Sequence, residues 1–317
     1  MAKDKIIRCI TSDGAIMAAA IDSTNIVCAA QQIHHTSPVA TAALGRLLTA
    51  SSIMGAMLKQ KDATVSLKVN GGGPLGSVCA YANSSGNCRG FVEHPEADLP
   101  LRADGKLDVG KAVGKDGLLT VMRDYGDGKQ PYTGSTELLT GEIAEDVTAY
   151  YAQSEQIPTV CALGVLLDKE KHQVLLAGGL LIQALPAAME EDLEKLEQNV
   201  RKMESVTTML AKGMDILTIC KTALQGFEVE VLDEFDVAYT CTCSKERVVR
   251  ALCTMPPEEV RHLADPATGY MEASCQYCGK KYQLSQLELD AVATRMENLA
   301  RQRRKQAAED TAKEQEQ

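Results

Sequence analysis

The sequence predicts an α+β fold, with a strand-rich N-terminal domain that contains helices, a helical linker and a small C-terminal domain. Apolar and polar residues alternate in the first half of the chain, as they do in half-buried strands. A segment of helical type begins near residue 185, and four cysteines in two tight pairs follow it. Because strands and helices do not alternate as regular βαβ units, the pattern indicates α+β rather than α/β.

Residues 1–184 are predicted to form the N-terminal α+β core domain. Short strands are expected at residues 6–14 and 26–30, followed by a buried helix with Ser37 as its N-cap and Pro38 at its first position. Further strands are expected at residues 65–69, 78–81, 117–126, 158–168 and 173–185, with a hairpin turn at 169–172 and a helix at 141–154.

Residues 185–232 are predicted to be a helical linker. Pro186 and an acidic first turn open it, as is favourable at a helix N-terminus. Its apolar residues recur at spacings of 4, 3, 4 and 3, which is a stripe of coiled-coil type; they are Met189, Leu193, Leu196, Val200 and Met203. The helix either packs on its own domain or detaches so that the stripe can meet another chain, and the local sequence leaves both open.

The paired cysteines lie in residues 233–295. Cys241 and Cys243 are separated by one residue, and 31 residues later Cys275 and Cys278 are separated by two. Two cysteine pairs from distant segments supply the four thiolates of a closed, tetrahedral structural zinc site. We therefore predict a small C-terminal zinc-binding domain that holds one zinc ion, followed by a charged tail at 296–317 that is disordered or a frayed helix.

Local signals around the cysteines are also predicted. Gly279 allows the tight turn around the metal, and Ser244 is expected to cap the helix that follows the first pair. Ser285 and Glu288 are expected to form a capping box at the start of the next helix.

Other residues could compete for the metal. Cys253 and His262 lie between the two pairs, but four cysteines already saturate zinc, so both are expected to be packing or surface residues. A closed four-cysteine site leaves no position for a metal-bound water, which argues against zinc hydrolysis. The six cysteines outside this region lie singly and are expected to be small buried residues.

The Cys-x-Cys pair also suggests a switch. A disulfide between Cys241 and Cys243 would close a cramped ring that is easily reduced again. Thiolates are the reactive form of cysteine, and an oxidant that removes them ejects the metal. A small domain that loses its zinc loses much of its fold. The site is therefore either a redox switch or a permanent structural zinc site.

Composition and missing motifs exclude several classes of function. The net charge is −10 and Trp is absent, which disfavours binding to nucleic acid through phosphates or stacked bases. The glycine run at 71–73 lacks the Gly-Lys-Ser/Thr end of a phosphate loop, so no nucleotide is expected. Arg46 makes a membrane span at residues 38–58 a poor interpretation. With an odd number of cysteines and no secretory leader, the chain is expected to be cytoplasmic.

At this point the sequence resembles the 33 kDa heat-shock family of redox-regulated holdase chaperones of bacteria. The segments VLDEFDVAYTCTCSKERV and ASCQYCGKKY carry the resemblance most specifically. Upstream, GRLLTASSIMGAMLK, KDGLLTVMRD and GGLLIQALPAA are similar to N-terminal signatures of the family. The similarity extends to about residue 290, and Cys253 is an addition to the family pattern.

The resemblance implies an ATP-independent chaperone that is zinc-bound and inactive when reduced. Cys241, Cys243, Cys275 and Cys278 would bind zinc, and oxidation would pair Cys241 with Cys243 and Cys275 with Cys278 and release the metal. The linker and the zinc domain would then unfold, and a homodimer would hold unfolding client proteins through the N-terminal domain under oxidative and heat stress. No catalytic residue is implied, so the protein is not expected to be an enzyme.

Two other classes remain as alternatives. A thiol–disulfide oxidoreductase would need one exposed thiol of low pKa with a resolving partner, whereas these four cysteines are expected to bind metal. A zinc-ribbon interaction module for nucleic acid or protein would not need the switch, and the charge of −10 opposes its nucleic-acid form.

Overall fold

The computed structural model describes residues 3–315, with side chains from residue 3 to residue 303. The chain divides between Cys241 and Thr242 into a larger first unit and a smaller second unit. Each unit has hydrophobic clusters of its own. The proposed boundaries of the linker and the zinc domain do not coincide with this division, because the segment at 229–237 is a strand of the first unit.

Two five-stranded antiparallel sheets form the frame of the first unit. Its strands are β1 (Asp4–Thr11), β2 (Ile16–Asp22), β3 (Thr64–Gly72), β4 (Val78–Asn83), β5 (Cys88–Val92), β6 (Gly114–Asp124), β7 (Tyr132–Glu137), β8 (Thr159–Leu167), β9 (Val174–Ala184) and β10 (Val229–Val237). Sheet 1 has the order β10-β1-β2-β9-β8, and sheet 2 has the order β5-β4-β3-β6-β7. The strands predicted from alternation at 65–69 and 78–81 are confirmed, as is the mixed α+β class.

The helices of the first unit lie between or beside these strands. They are α1 (Thr24–His34), α2 (Pro38–Ala56), α3 (Val109–Val113), α4 (Ala144–Tyr150), α5 (Glu190–Lys202), α6 (Val206–Ala211) and α7 (Ile216–Ala223), and one π-helical turn, Tyr151–Glu155, continues α4. The helix predicted at 141–154 is therefore confirmed, with its last turn widened.

Helix α2 is the central element of the first unit. Ser37 Oγ accepts a hydrogen bond from Ala40 N at 3.2 Å, which confirms the predicted N-cap. The helix contacts strands of both sheets. It is long and apolar enough to cross a membrane, but 94% of its most apolar window is buried inside the protein. Its apolar character is therefore explained by its position in the core.

The strand predicted at 26–30 is wrong, because these residues belong to helix α1. Asp4 in β1 accepts hydrogen bonds from Asn25 N at 3.0 Å and Ile26 N at 2.7 Å. A carboxylate at free N–H groups stabilises a helix start. The cap comes from a residue 21 positions earlier in the chain, so the local β-branched residues gave a misleading signal.

The inner strands of sheet 1 contribute buried residues to cores on both faces of the sheet. On one face Ile6, Ile21 and Leu181 join the cluster around α2. On the other face Ile7, Leu180 and Ile182 pack beneath α5, α6 and α7, which together are called the helical layer here. Because successive side chains of a strand point to opposite faces of the sheet, these strands contribute residues to two separate hydrophobic cores.

Strand β10 completes sheet 1 through charge pairing with β1. Arg8 Nε donates to Asp233 Oδ1 at 2.8 Å, and Lys5 Nζ donates to Glu234 Oε1 at 2.6 Å. The acidic run at 233–236 therefore matches the basic residues of an antiparallel partner more than 200 positions away. Cross-strand pairs of opposite charge favour such a register.

The second unit is a small α+β arrangement. Its elements are α8 (Lys245–Leu252), α9 (Pro257–Arg261), β11 (Tyr270–Ser274), β12 (Lys281–Ser285) and α10 (Gln286–Gln315). The buried residues of its cluster are few: Leu252, Val260, Leu284, Leu289 and Ala293. The predicted tail at 296–317 continues α10 as far as Gln315, and its last two residues lie outside the described range.

Candidate metal centre

The first cysteine pair lies between a strand and a helix. Cys241 and Cys243 come shortly after β10 and directly before α8. Ser244 Oγ accepts from Arg247 N at 3.3 Å, so the predicted N-cap fixes where α8 begins. This cap holds Cys243 at a defined position beside the helix start.

The second pair lies in the tight turn between β11 and β12. Cys275 N donates to Lys280 O at 2.9 Å, and Gly279 N donates to Cys275 O at 2.8 Å. Gly279 has φ of 68°, which is the left-handed region that glycine enters without steric cost. The predicted role of Gly279 is confirmed, and the turn brings both sulfurs to the same side of the hairpin.

The structure brings the four predicted cysteines together. The Sγ atoms of Cys241, Cys243, Cys275 and Cys278 all lie within 4.8 Å of one another. The Sγ atoms of Cys243 and Cys278 are 3.3 Å apart. Zn–S bonds of about 2.3 Å in a tetrahedron place sulfurs roughly 3.8 Å apart. The donor set and its spacing therefore fit one zinc ion held by four thiolates.

A tyrosine hydroxyl contacts this cluster. Tyr282 Oη donates to Cys243 Sγ at 3.0 Å. This hydrogen bond, followed by burial and the charges of the neighbouring cysteines, raises the pKa of Tyr282 above its ordinary value. This hydrogen bond was not predicted from the sequence, although an aromatic hydroxyl four positions after Cys278 was a usable signal.

Ion pairing ties the helices around the centre together. Lys245 Nζ donates to Glu288 Oε1 at 2.6 Å, which links the start of α8 to the start of α10. Ser285 N donates to Glu288 Oε2 at 3.0 Å and Glu288 N donates to Ser285 Oγ at 3.4 Å, which confirms the predicted capping box. The hydrogen bond from Lys245, followed by that from Ser285 N, lowers the pKa of Glu288 to about 2.

The two competing residues lie outside the cluster. Cys253 is exposed at the C-terminal end of α8, and His262 ends α9, where its backbone N–H donates to Glu259 O at 3.0 Å. Neither residue is among the four that could hold the ion. Their prediction as packing or surface residues agrees with this placement.

The remaining cysteines are buried or half-buried in the first unit. Burial raises the pKa of Cys161 to about 12 and also raises the pKa of Cys88, so both thiols stay protonated and unreactive. Cys9 and Cys220 differ, because their thiols interact with each other. They stand 211 positions apart, so no local spacing in the sequence indicated this pair.

These features define an α+β protein in which a large two-sheet unit is followed by a small unit, with four clustered cysteines, at and after the boundary, that could hold a metal ion. The description "Hsp33 protein" belongs to the family model that matches residues 4–285. Since this match spans most of the chain, the chain belongs to the Hsp33 family.

Individual relatives agree with the family match. The 33 kDa chaperonin of Lachnoclostridium phytofermentans is 43% identical over 292 residues, covering 92% of this chain and 99% of that protein. The 33 kDa chaperonin of Clostridioides difficile is 40% identical, covering 93% and 100%. A crystal structure of the 33 kDa chaperonin from Thermotoga maritima matches with a TM-score of 0.83 at 30% identity, covering 92% and 98%. The family and these names support a chaperone function, and the resemblance found in the sequence is confirmed.

Proposed function

We propose that this protein is a redox-regulated, ATP-independent holdase chaperone. In the reduced state Cys241, Cys243, Cys275 and Cys278 hold one zinc ion and the chaperone is inactive. Oxidation pairs Cys241 with Cys243 and Cys275 with Cys278, and the zinc is released. The linker and the zinc domain then unfold, and the protein protects unfolding clients from aggregation under oxidative and heat stress.

The observation that carries this proposal is the four-cysteine cluster itself. Its four Sγ atoms lie within 4.8 Å of one another although they come from two segments of the chain. Bound zinc would supply a positive charge that keeps all four sulfurs as thiolates. Thiolates react with oxidants, so the atoms that hold the metal are also the atoms that an oxidant attacks.

The second unit depends on that metal for its stability. Its cluster contains only five buried residues. Structural zinc contributes about 10 kcal/mol or more to folding a small domain, whereas a core of this size rarely supplies more than roughly 3–5 kcal/mol net. Oxidation of the cysteines therefore removes the main source of stability, and the unit unfolds.

A surface suitable for clients lies beneath the helical layer. The outer face of sheet 1 presents apolar residues, including Ile7, Leu180 and Ile182, that are covered by α5, α6 and α7. Only Leu196 of α5 is buried, so this helix is held by little apolar contact. When the helices leave, the exposed face binds apolar segments of clients and favours a homodimer of the activated protein.

The division of the chain that belongs to this proposal is 1–184 as client-binding domain, 185–232 as linker, 233–295 as redox-switch zinc domain and 296–317 as charged tail. Cytoplasmic residence is part of the proposal, because reduced thiolates persist in a reducing compartment. Neither nucleotide, nucleic acid nor membrane is needed. No catalytic residue is assigned, and the protein acts by binding rather than as an enzyme.

The test follows zinc content, compactness and client protection together through a peroxide titration. The reduced, zinc-loaded protein should leave a thermally unfolding client to aggregate, and the oxidised, zinc-free protein should suppress aggregation. C253A is a matched control, because it removes an exposed cysteine of the same unit from outside the cluster. If the fully oxidised protein protects no better than the reduced one, the redox switch is not the function of the centre.

Turnover assays separate this proposal from its enzymatic alternative. The zinc-loaded protein should not reduce or oxidise a dithiol substrate catalytically, because its four clustered thiols are committed to the metal. Steady turnover by the zinc-loaded form, lost in C278A, would instead favour a thiol–disulfide oxidoreductase.

A further inference from the structure

A second pair of cysteines meets where the helical layer lies on sheet 1. Cys9 lies in β1 and Cys220 in α7, and both side chains are 0% exposed. The strand and the helix pack against each other, and the two thiols interact there. Both residues belong to the cluster that joins the helical layer to the outer face of the sheet.

The two thiols are not equivalent. The hydrogen bond from Cys220 lowers the pKa of Cys9 against the effect of burial, and the positive charge of Lys221 acts in the same direction. The interaction with Cys9, followed by burial, raises the pKa of Cys220. Of the two thiols, Cys9 is therefore the one that loses its proton more readily.

We propose that Cys9 and Cys220 form a second disulfide site, separate from the metal centre, that links α7 to β1 when the protein meets a hydroperoxide. The Cys9 sulfur attacks the peroxide, the O–O bond breaks, and a sulfenic acid and an alcohol or water form. Cys220 then attacks the sulfenic sulfur, the S–S bond forms, and water leaves. Two thiols are oxidised by two electrons and one hydroperoxide is reduced.

The position of the pair sets the order of events. Because α7 covers both sulfurs completely, a hydroperoxide reaches them only when the helix lifts from the sheet. The bond therefore forms in molecules whose helical layer has begun to loosen. Forming an S–S bond of about 2.05 Å from two facing thiols requires the helix to return to the sheet, so the product holds α7 in place.

The consequence rests on the proposed function. If release of the helical layer exposes the client-binding face, a Cys9–Cys220 disulfide opposes that exposure in part. It retains α7 over β1 while α5 and α6 remain free to leave. The same oxidant would then both open the client-binding face through the metal centre and limit how far it opens.

The experiment uses the full-length, zinc-loaded protein treated with graded hydrogen peroxide, with zinc release measured in the same samples. Free thiols are blocked by alkylation and the protein is digested with trypsin without reduction. Cleavage after Arg8 and Arg46 yields a peptide with Cys9 and Cys28, and cleavage after Lys212 and Lys221 yields a peptide with Cys220. Mass spectrometry should detect these two peptides as a linked pair.

Four variants identify the two cysteines that form the disulfide. It should be lost in C9A and in C220A and retained in C28A, which removes the other cysteine of the first peptide. It should also be retained in C88A, whose thiol is equally buried but interacts with Ser52. The oxidised wild type should also be cleaved at Lys212 and Lys221 several-fold more slowly than oxidised C220A under native conditions.

The outcomes separate this proposal from the proposed function. Loss of zinc without any Cys9–Cys220 link would overturn the second disulfide site and leave the redox-switched chaperone standing. A link that disappears in C28A would also overturn it, because the bond would then involve Cys28. A link that forms in a protein that never protects a client would support the disulfide site and contradict the proposed function instead.

Discussion

The two units of this protein achieve a folded state in different ways. The first unit encloses the helix α2 between strands of two sheets, and one cluster alone contains more than thirty buried residues. The second unit has a cluster of five buried residues. Three of its cysteines form a group with Cys241, the last residue of the first unit. Apolar burial stabilises the first unit, whereas on the proposed function the second unit depends on a metal ion that oxidation of its ligands would release.

This difference explains why cysteines of one chain have different properties. In the first unit, burial raises the pKa of Cys88 and Cys161, so they behave as small apolar residues. At the boundary of the two units and beyond it, four half-buried cysteines share a cluster that suits a cation. The environment, rather than the residue type, decides which thiols can respond to an oxidant.

Removing one ligand from the second unit should produce the largest effect. C278A is expected to lose zinc binding and to unfold residues 242–303 while the first unit stays folded, because about 10 kcal/mol of metal binding is lost. Zinc stoichiometry and amide exchange resolved by unit measure this. C253A should keep both zinc and structure, and a C278A protein with an intact second unit would show that the apolar core suffices there.

A cavity in the first unit should be costly but should leave the metal centre alone. Leu47 in α2 is fully buried, and L47A is expected to cost about 2–5 kcal/mol of unfolding free energy. Denaturant unfolding, with zinc content as a second readout, measures it. L287A is the matched control, because Leu287 is 80% exposed; zinc loss in L47A would contradict the independence of the two units.

An ion pair of the first unit should make its stability depend on pH. Burial favours a raised pKa for Glu155, but hydrogen bonds from Tyr150 and Arg123 outweigh it and lower the pKa. A lowered pKa stabilises the fold above the unfolded value of about 4.3, and this contribution is lost as pH falls below that value. E155Q should therefore be less stable than wild type at pH 7, by about 1.5–3 kcal/mol.

The difference between E155Q and wild type should shrink as pH falls below about 4.3. Denaturant unfolding of the first unit at several pH values measures it, since that unit does not depend on zinc. E137Q, at an exposed position of β7, should match wild type at every pH. A constant difference for E155Q down to pH 2 would show that protonation of Glu155 does not matter for stability.

The smallest effect is expected at the tyrosine beside the metal centre. Y282F removes the hydroxyl that donates to Cys243 Sγ, and the hydrogen bond is worth about 0.5–1.5 kcal/mol. Zinc should still bind, and peroxide should release it faster because the Cys243 sulfur loses a donor that lowers its electron density. The rate of zinc release measures this, with Y270F as control; an unchanged rate would limit Tyr282 to a packing role.

The clustering of the four cysteines was easier to predict from the sequence than the secondary structure and tertiary contacts of the first unit. Paired cysteines need only a turn and a helix cap to bring their sulfurs together. Both features have local sequence signals: Gly279 indicates the turn, and Ser244 indicates the helix cap. Helix α1 was missed because its cap, Asp4, comes from a strand that pairs with β10. Contacts such as Asp4 with Ile26 or Cys9 with Cys220 depend on tertiary packing, which no periodicity in the sequence records.

The position of the helical layer between β9 and β10 has a consequence for reversibility. Both strands belong to sheet 1, so the roughly 40 residues that carry α5, α6 and α7 form a loop anchored at both ends. If the helices detach while β10 stays paired with β1, the loop loses its contacts with the face of sheet 1, but both of its ends stay anchored in the sheet. Repacking of these helices on the sheet then closes a loop of fixed length, which has a smaller entropic cost than docking a segment with a free end. Recovery after stress is therefore easier.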